Sequence, residues 1–367
     1  MESLKQTLKR IADQGEALTR DEARHLLAEI LASHSGDEDL EIAALLTALA
    51  TRGETVEELT GFAEAMRSLS LAIPLTEDER VALVDTCGTG GDGLGTFNIS
   101  TGAALVAVAA GAKVAKHGNR AVTSYCGSAD VLEAMGVPVA LDPEHAVECL
   151  RATGFMFLYA PLLHPALKRV QGIRRALGFR TIFNLAGPLT NPAGAPAQVM
   201  GVYSGTRVSL VAEAMARLGV RRAFVVHGLD GLDELTLTGE SSVAEVRTGG
   251  SRDQESGSGE QSLGGSVRLF RLTPEDAGLS RSTLAELRGA ETALENAAVL
   301  TRIFSGETGP RREIVLLNAA AALVAAGVAA DFREGAQRGA EAIDSGAVEN
   351  IVGALREFAR SVAAPTG

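Results

Sequence analysis

From residue 81 onward the chain alternates short apolar runs with stretches of helical periodicity, and this alternation limits its fold more than any other feature. Candidate buried strands fall at residues 81–84, 114–115, 137–139, 155–159, 198–203 and 223–226. Helical patterns include residues 143–153, 208–218, 291–304, 312–326, 331–345 and 348–363. Strands separated by helices pair in parallel and are covered on both faces. We therefore predict an α/β fold with a mostly parallel sheet, and ligands at the carboxyl ends of its strands.

Residues 1–72 contain only helical patterns. Thr19 and Glu22 form one capping box, and Thr55 and Glu58 form another. The apolar faces are larger than four helices can bury among themselves, so we expect them to pack on the rest of the chain and on a second subunit. The sequence thus predicts a smaller all-helical N-terminal domain at residues 1–72 and an α/β domain at residues 73–367.

Composition and charge exclude some classes of partner. The chain has 367 residues and a formal net charge of −12, which opposes general affinity for nucleic acid or anionic membranes. No apolar run approaches the length of about 18 residues that a membrane span needs. Cys87, Cys126 and Cys149 are scattered and lack CxxC spacing, which favours a reducing compartment over a disulfide scaffold or zinc site. We expect a cytoplasmic protein with a small anionic substrate.

A glycine-rich turn, GTGGDG at residues 88–93, follows the first candidate strand. Glycines permit positive φ angles and close approach, so several N–H groups can converge on a phosphate. A helix then opens near Ser100, which we predict as its cap, and ends at Gly111; its N-terminus is a second anion site. The spacing matches neither the dinucleotide GxGxxG nor the Walker motif. A phosphate site and a plain strand-to-helix turn remain equal alternatives at this point.

A basic loop comes next, with KHGNR at residues 116–120, then Thr123, Ser124 and GSAD at residues 127–130. Two cations, a histidine and an amide around one glycine make a good clamp for a polyanion. A solvated surface loop is the better interpretation of KHGNR taken alone. Ser128 is predicted to cap the following helix, and that role alone would explain it.

Two later segments carry charges suited to ligands. The helical stretch at residues 164–178 contains Arg169, Arg174 and Arg175, and each can face either a carboxylate or solvent. Asp233 and Glu234 follow an apolar strand, where adjacent carboxylates need solvent or a hard cation such as Mg²⁺. A polar loop is the more common explanation of an isolated acidic pair, so a polar loop and a Mg²⁺ site both stay open at this point. Asp230 is interpreted as a loop residue.

The motifs GTGGD, NxST, KHGNR and GSADVLEA closely resemble, in order and spacing, those of the anthranilate phosphoribosyltransferase family. The resemblance continues through HPALKRVQGIRRALGFRTIFNLAGPLTNPA, HGLDGLDELT and RREIVLLNAAAALVAAG, so it covers nearly the whole chain. It implies the fold class of the pyrimidine nucleoside phosphorylase-like transferases, in which helices near residues 162–182 join the N-terminal helical domain and that domain forms a homodimer.

The resemblance also implies an activity, the second step of tryptophan biosynthesis from chorismate. In this reaction the 5-phosphoribosyl group passes from phosphoribosyl diphosphate to the amine of anthranilate, giving N-(5-phosphoribosyl)anthranilate and diphosphate. The transition state resembles an oxocarbenium ion, so the protein must stabilise the leaving group and position the reactants more than it must supply a nucleophile. No residue is assigned as an acid, base or nucleophile, and His117 is expected only to bind substrate.

Site residues follow from the same resemblance. Those implied for phosphoribosyl diphosphate are Gly88, Gly91, Asp92, Thr96, Asn98, Ile99, Ser100, Thr101, Lys116, His117, Gly118, Asn119, Arg120, Ala121, Val122, Thr123, Ser124 and Ser128. Those implied for anthranilate are Gly88, Asn119 and Arg174. Two Mg²⁺ ions are expected, with Ser100, Asp233 and Glu234 as the protein's metal-binding residues.

The chain departs from the family pattern at a few positions. Tyr125 and Cys126 stand where small polar or basic residues are usual, and Leu163 replaces an aromatic residue; these changes bear on affinity and acceptor tolerance. The Gly/Ser-rich residues 249–265 are interpreted as a flexible insertion without a catalytic role.

Two other functions are weighed against the transferase. A pyrimidine nucleoside phosphorylase would share the fold but would not need the acidic pair, and its Lys-His-Ser/Thr motif followed by two glycines is absent. A non-enzymatic nucleic-acid-binding homologue is opposed by the acidic balance.

Overall fold

The structure, a computed structural model, describes residues 3–33, 38–121, 126–248 and 266–363. Val122, Thr123, Ser124, Tyr125 and the predicted insertion at residues 249–265 lie outside the described residues.

Helices come first along the chain, and from residue 83 onward strands alternate with helices. The helices are α1 Leu4–Gln14, α2 Arg20–Ala32, α3 Asp39–Arg52, α4 Val56–Ser68, α5 Glu77–Val81, α6 Ile99–Ala109, α7 Ser128–Ala134, α8 Pro143–Thr153, α9 Ala160–Leu163, α10 Lys168–Leu177, α11 Ile182–Ala186, α12 Val208–Arg217, α13 Ala293–Phe304, α14 Pro310–Ala326, α15 Phe332–Asp344 and α16 Ala347–Ala363. The strands are β1 Leu83–Asp85, β2 Lys113–Gly118, β3 Phe155–Tyr159, β4 Ala197–Gly201, β5 Arg222–Gly228, β6 Ser241–Arg247 and β7 Ser266–Leu272.

The seven strands of the described residues form one sheet in the order β3-β2-β1-β4-β5-β6-β7. The first five pair in parallel, with Val84 opposite both Val114 and Ala197. β6 and β7 extend the sheet as an antiparallel hairpin. Strand order reverses between β2 and β4, on either side of β1, and such a switch point opens a crevice at the carboxyl ends of the strands. The predicted mostly parallel α/β sheet is confirmed.

Two apolar clusters cover the two faces of the sheet, and β5 alternates between them. Phe224 and Val226 belong to the cluster that also contains α6 and the C-terminal helices. Val225 belongs to the other cluster, which also contains Leu45 and Phe62 of the N-terminal helices. The N-terminal bundle therefore does pack on the rest of the chain, because it shares one core with the second face of the sheet.

Several of the predicted helix caps and stops are confirmed. Thr19 and Thr55 accept hydrogen bonds from the backbone N–H groups of Glu22 and Glu58, and Asp142 caps α8. The Gly111 N–H donates to Val108 just beyond α6, and its φ of 108° confirms the expected stop.

Several local predictions are wrong. Val81 ends helix α5 rather than starting a strand. This short helix begins at a capping box formed by Thr76 and Glu79, which the sequence analysis did not include. Residues 137–139 follow α7 without strand structure, and β6 and β7 were not predicted. Ser100 and Ser128 lie inside the first turns of their helices, and the N-cap residues are Asn98 and Gly127. Within the described residues, no helix is long and apolar enough to cross a membrane.

Candidate active site

The predicted phosphate turn meets two other segments at the switch point of the sheet. A Cβ atom on Gly88 would lie 3.0 Å from the Gly201 carbonyl oxygen at the end of β4, and Thr89 donates its N–H to that oxygen at 2.9 Å. On the other side, a Cβ on Gly201 would overlap the carbonyl oxygen of Asp233. Three backbones thus stack in close contact, which only glycine at residue 201 permits.

Several backbone N–H groups of the turn between Gly88 and Leu94 donate no hydrogen bond to the described residues. Gly90, Gly91 and Gly93 have φ angles of 62°, 80° and 77°. Of the N–H groups in this fully described turn, those of Thr89 and Leu94 donate hydrogen bonds within the protein, the latter to the Asp92 carboxylate at 3.0 Å. The others remain for a ligand, as a phosphate site requires.

Helix α6 begins beside this turn without a side-chain cap. Asn98 instead donates from Nδ2 to the Cys126 carbonyl at 3.1 Å, which ties the start of α6 to the basic loop. The Thr101 hydroxyl is buried and has no hydrogen-bond partner among the described residues. The N-terminus of α6, with Ile99, Ser100 and Thr101, is therefore available to an anion.

Lys116 lies beneath the site rather than in open solvent. Its side chain is 2% exposed, and Nζ donates to the Thr86 carbonyl at 2.9 Å, the Thr86 hydroxyl at 3.0 Å and Ser100 Oγ at 3.5 Å. Burial lowers the pKa of Lys116, while the charges of Asp85 and Glu234 oppose that shift. The sequence left a polyanion clamp and a solvated surface loop open for KHGNR; the Lys116 ammonium group is neither in solvent nor free, because Thr86 and Ser100 hold it.

Asp85 anchors the floor of the site at the end of β1. Its carboxylate accepts hydrogen bonds from the His117 N–H at 3.1 Å and from Asn191 Nδ2 at 2.8 Å. Burial raises the pKa of Asp85 to about 6, against the lowering effect of the Asn191 hydrogen bond and the Lys116 charge. Asn191 also donates to the Ala115 carbonyl, so it fixes β1 against β2. Sequence reasoning missed Asn191.

Two buried histidines lie side by side next to this floor. The rings of His117 and His164 have centroids 5.1 Å apart, and both side chains are buried. Burial lowers the pKa of His117 to about 3, helped by the neighbouring His164 and Lys116. Burial likewise lowers the pKa of His164 to about 4. Both imidazoles are neutral at pH 7, so neither supplies a positive charge to the site.

The basic loop after β2 is organised by Asp130. Its carboxylate accepts hydrogen bonds from the N–H groups of Ala121 and Gly127, both at 2.9 Å. Arg120 pairs with Asp130 and Glu133, so its charge is directed at α7. Asn119 and Ser128 are in contact, since Ser128 Oγ donates to the Asn119 carbonyl at 3.3 Å. Asn119 and Ser128 therefore stay together near the cleft, whereas Arg120 is occupied elsewhere.

Asp233 and Glu234 lie in the loop after β5, which Asp230 shapes. The Asp230 carboxylate accepts hydrogen bonds from Thr236 Oγ1 at 2.6 Å, Thr238 Oγ1 at 2.7 Å and the Leu232 N–H at 3.1 Å. This agrees with the prediction that Asp230 is a loop residue. Just beyond the acidic pair, Asn318 of α14 binds both backbone groups of Leu235 at 3.0 Å. Asn318 was missed, although a lone asparagine in the apolar run around it was a usable signal.

The acidic pair is buried close to a third carboxylate. Burial raises the pKa of Asp233 well above its ordinary value, and the carboxyls of Glu234 and Asp92 raise it further. Burial raises the pKa of Glu234 to about 7, while Lys116 and hydrogen bonding from Ser100 oppose that shift. Asp92 Oδ2 is buried with no hydrogen-bond partner among the described residues. Such crowding of buried carboxyls is relieved by a cation.

Among the three arginines of α10, Arg174 alone combines partial burial with the absence of an ion pair to the described residues. Arg169 pairs with Asp39 at 2.6 Å, and Arg175 is exposed. Burial lowers the pKa of Arg174, whose guanidinium lies 5.1 Å from the ring centre of Phe183. No ion pair involves Arg174 within the described part of the chain. A desolvated guanidinium on an aromatic face is well suited to a carboxylate of a ligand.

This architecture, a helical bundle on an α/β sheet with free backbone N–H groups at the switch point, is that of a glycosyl transferase. The family model described as "Glycosyl transferase family, a/b domain" matches residues 80–349, and the one described as "Glycosyl transferase family, helical bundle domain" matches residues 5–70.

Similar proteins specify the family further. An anthranilate phosphoribosyltransferase of Pelotomaculum thermopropionicum is 48% identical over 97% of this chain and 96% of its own length. One of Solibacter usitatus is 50% identical over 88% of this chain and 89% of its own length. The chain belongs to the anthranilate phosphoribosyltransferase family.

Solved structures agree with this assignment. The crystal structure of the Thermus thermophilus anthranilate phosphoribosyltransferase has a TM-score of 0.83 at 41% identity, over 96% of this chain and 99% of that one. The Saccharomyces cerevisiae enzyme, solved in complex with PRPP and Mg, has a TM-score of 0.83 at 27% identity, over 98% of both chains. The yeast enzyme has also been solved in complex with 4-fluoroanthranilate.

Proposed function

We propose that this protein transfers the 5-phosphoribosyl group of phosphoribosyl diphosphate to the amine of anthranilate, with Mg²⁺, in tryptophan biosynthesis. One observation carries the proposal: the stack of Gly88, Gly201 and Asp233 joins the phosphate turn directly to the acidic pair. A diphosphate leaving group needs free N–H donors and a metal side by side, and this stack places the turn with free N–H groups next to the carboxylates that would hold the metal.

In this proposal the donor lies along the glycine turn and the N-terminus of α6. The free N–H groups around Gly90 and Gly91, the first turn of α6 and the loop at Asn119 and Ser128 hold its phosphates. The bond between the anomeric carbon and the diphosphate oxygen breaks, and a bond to the anthranilate nitrogen forms. The nitrogen then loses a proton to water or to the departing diphosphate. Diphosphate takes the electron pair of the broken bond, so stabilising that charge is the main task of the protein.

Anthranilate binds on the opposite wall of the cleft. Arg174 holds its carboxylate, because that guanidinium is desolvated and, among the described residues, pairs with no acidic side chain. Asn119 and Gly88 orient the amine toward the anomeric carbon. His117 is neutral and contributes hydrogen bonding and shape, since a pKa near 3 makes it a weak base.

The residues present fit Mg²⁺. The described residues contain no group of three or more His, Cys, Asp or Glu side chains that could hold a metal ion by itself. Mg²⁺ commonly binds through one or two carboxylates and takes its other ligands from phosphates and water. We propose that Asp233, Glu234 and Ser100 hold two ions, which neutralise the diphosphate when bound.

Three further features belong to this proposal: the domain boundary, the homodimer and the cellular compartment. A boundary near residue 72 separates the two domains, because α4 ends at Ser68 and β1 begins at Leu83. The homodimer forms through the N-terminal helices, where Leu40 of α3 is 82% exposed. The protein works in the cytoplasm, where the free thiols of Cys87, Cys126 and Cys149 stay reduced.

The test is the decay of anthranilate fluorescence on adding the protein, phosphoribosyl diphosphate and Mg²⁺ in turn. Decay that requires all three is the expected result, and the Asp233→Ala variant should abolish it. Glu213→Gln removes an exposed acid of α12 and serves as the matched control. No decay, or decay that does not depend on Mg²⁺, would contradict the proposal.

A further inference from the structure

Arg180 connects the two walls of the cleft and belongs to neither of the predicted binding sets. It lies shortly after Gly178, whose φ of 68° ends α10 and turns the chain. Its guanidinium donates from Nη2 to the carbonyl of Gly91 in the glycine turn. The same guanidinium lies 4.4 Å from the ring centre of Tyr203, which follows β4. Both contacts are with protein groups.

The turn that Arg180 touches is fixed at its other end by the same part of β4. The Tyr203 N–H donates to Thr89 Oγ1 at 3.0 Å, and the Thr89 N–H donates to Gly201. The contacts therefore form a ring that runs through Thr89, Gly91, Arg180 and Tyr203 and back to Thr89. The ring includes the backbone of Gly90 and Gly91. Glycine loses more conformational entropy on being fixed than any other residue. The Arg180 contact therefore restricts the backbone at Gly90 and Gly91.

Arg180 also belongs to the segment that carries the acceptor arginine. Arg174 lies six residues earlier in α10, and its aromatic partner Phe183 lies three residues after Arg180 in α11. A single short stretch thus contacts the donor turn through Arg180 and presents Arg174 to the acceptor. Rate depends steeply on the separation of two reacting groups, so a fixed link between their binding sites matters.

We propose that Arg180 is a positioning residue that sets the distance between the donor turn and the acceptor arginine. This rests on the proposed transferase function. Arg180 acts through the Gly91 carbonyl and the Tyr203 ring and makes no contact with the reacting atoms. Its side chain is exposed, so its loss removes little buried surface and should not unfold the protein.

The test compares Arg180→Ala and Arg180→Lys with the wild type. Arg175→Ala, which removes an exposed cation of α10, is the matched control. Hydrogen–deuterium exchange of the peptide spanning residues 88–96 is measured without substrates, together with kcat, both KM values and Tm. We expect exchange in Arg180→Ala to become about 5-fold faster and kcat to fall about 10- to 100-fold, as misplacement predicts. The KM values and Tm should change little, and Arg180→Lys should be intermediate.

Other outcomes overturn the proposal. A rise in the KM for phosphoribosyl diphosphate at unchanged kcat would make Arg180 a direct donor ligand. A lower Tm with normal kinetics would show that Arg180 has only a structural role. Unchanged exchange and an unchanged kcat would show that Arg180 does not restrain the donor turn. The exchange readout does not need activity. A wild-type protein without transferase activity, but with faster exchange in Arg180→Ala, would refute the proposed function and leave the Arg180–Gly91 restraint in place.

Discussion

The carbonyl oxygen of Asp233 occupies the space that a side chain on residue 201 would need. Residue 201 must therefore be glycine for the loop carrying the acidic pair to reach the end of β4. Since Gly201 also accepts the Thr89 N–H, one residue fixes both the phosphate turn and the acidic loop.

The first prediction concerns this contact. Gly201→Ala should displace the loop of Asp233 and raise the Mg²⁺ concentration for half-maximal rate by about 10-fold or more, because the metal-binding carboxylates lose their positions. Gly239→Ala is the control, since a Cβ there meets nothing within 4 Å. Metal titration of the rate, with Tm recorded for both variants, is the measurement. Equal metal requirements in the two variants would contradict this account.

Arg174→Ala should raise the KM for anthranilate by about 10- to 100-fold, or about 1.4–2.7 kcal/mol of binding free energy. The guanidinium is partly buried and forms no ion pair in the described residues, so its removal costs little stability. Initial rates at varied anthranilate, with Arg175→Ala alongside, check this. A large fall in Tm without a KM change would show that Arg174 supports the fold instead.

Asp230→Ala should weaken the apparent affinity for Mg²⁺ without changing the proposed metal-binding residues themselves. The change releases two threonine hydroxyls and one N–H that now hold the loop. We expect a rise of about 10-fold in the half-maximal Mg²⁺ concentration, the size usual for residues that orient metal ligands. Glu240→Gln, an exposed acid nearby in sequence, should leave it unchanged. A Mg²⁺ requirement equal to that of the wild type would show that the loop keeps its shape without Asp230.

Acid should destabilise the protein through its buried histidines. The pKa of His117 is about 3 when folded, below its ordinary value of 6.5, and that of His164 is about 4. Below pH 6.5 the unfolded chain binds protons that the folded one does not, so stability falls as pH falls and levels off only below the folded pKa. His117 alone contributes about 1.4 kcal/mol per pH unit from about pH 5.5 to pH 4.

His117→Gln should reduce the pH dependence of the unfolding free energy by that amount over the same interval. Denaturant titrations at several pH values give this slope. His145→Gln is the control, because His145 is exposed and its pKa is raised rather than lowered by Asp142. An unchanged slope in His117→Gln would mean that His117 is already charged in the folded protein.

Much of the fold follows from local rules that the sequence displays. Capping side chains such as Thr19 and Asp142 mark helix starts because they satisfy N–H groups locally. The antiparallel hairpin β6–β7 was missed because β7, with its exposed Leu269 and arginines, lacks a clear apolar alternation. Val81 was misassigned because an apolar residue at a helix end resembles the start of a strand.

For the site, the resemblance of motifs identified the segments but could not give side-chain directions. That Arg174 is free while Arg169 is paired depends on Asp39, 130 residues away in sequence. The burial of Lys116 likewise depends on contacts with Thr86 and Ser100 from other elements. Such contacts between distant residues leave no local pattern. Arg180 shows the same difficulty, since its partners Gly91 and Tyr203 come from two other parts of the chain.

The apolar cluster shared by the N-terminal helices and one face of the sheet also governs how the protein unfolds. The bundle and its neighbouring helices pack in one apolar cluster with Met200, Val202 and Val225. A polypeptide starting at residue 73 would present part of this face to water and would be prone to aggregate. We therefore expect bundle and sheet to melt as one cooperative unit, and the two parts expressed separately to be insoluble.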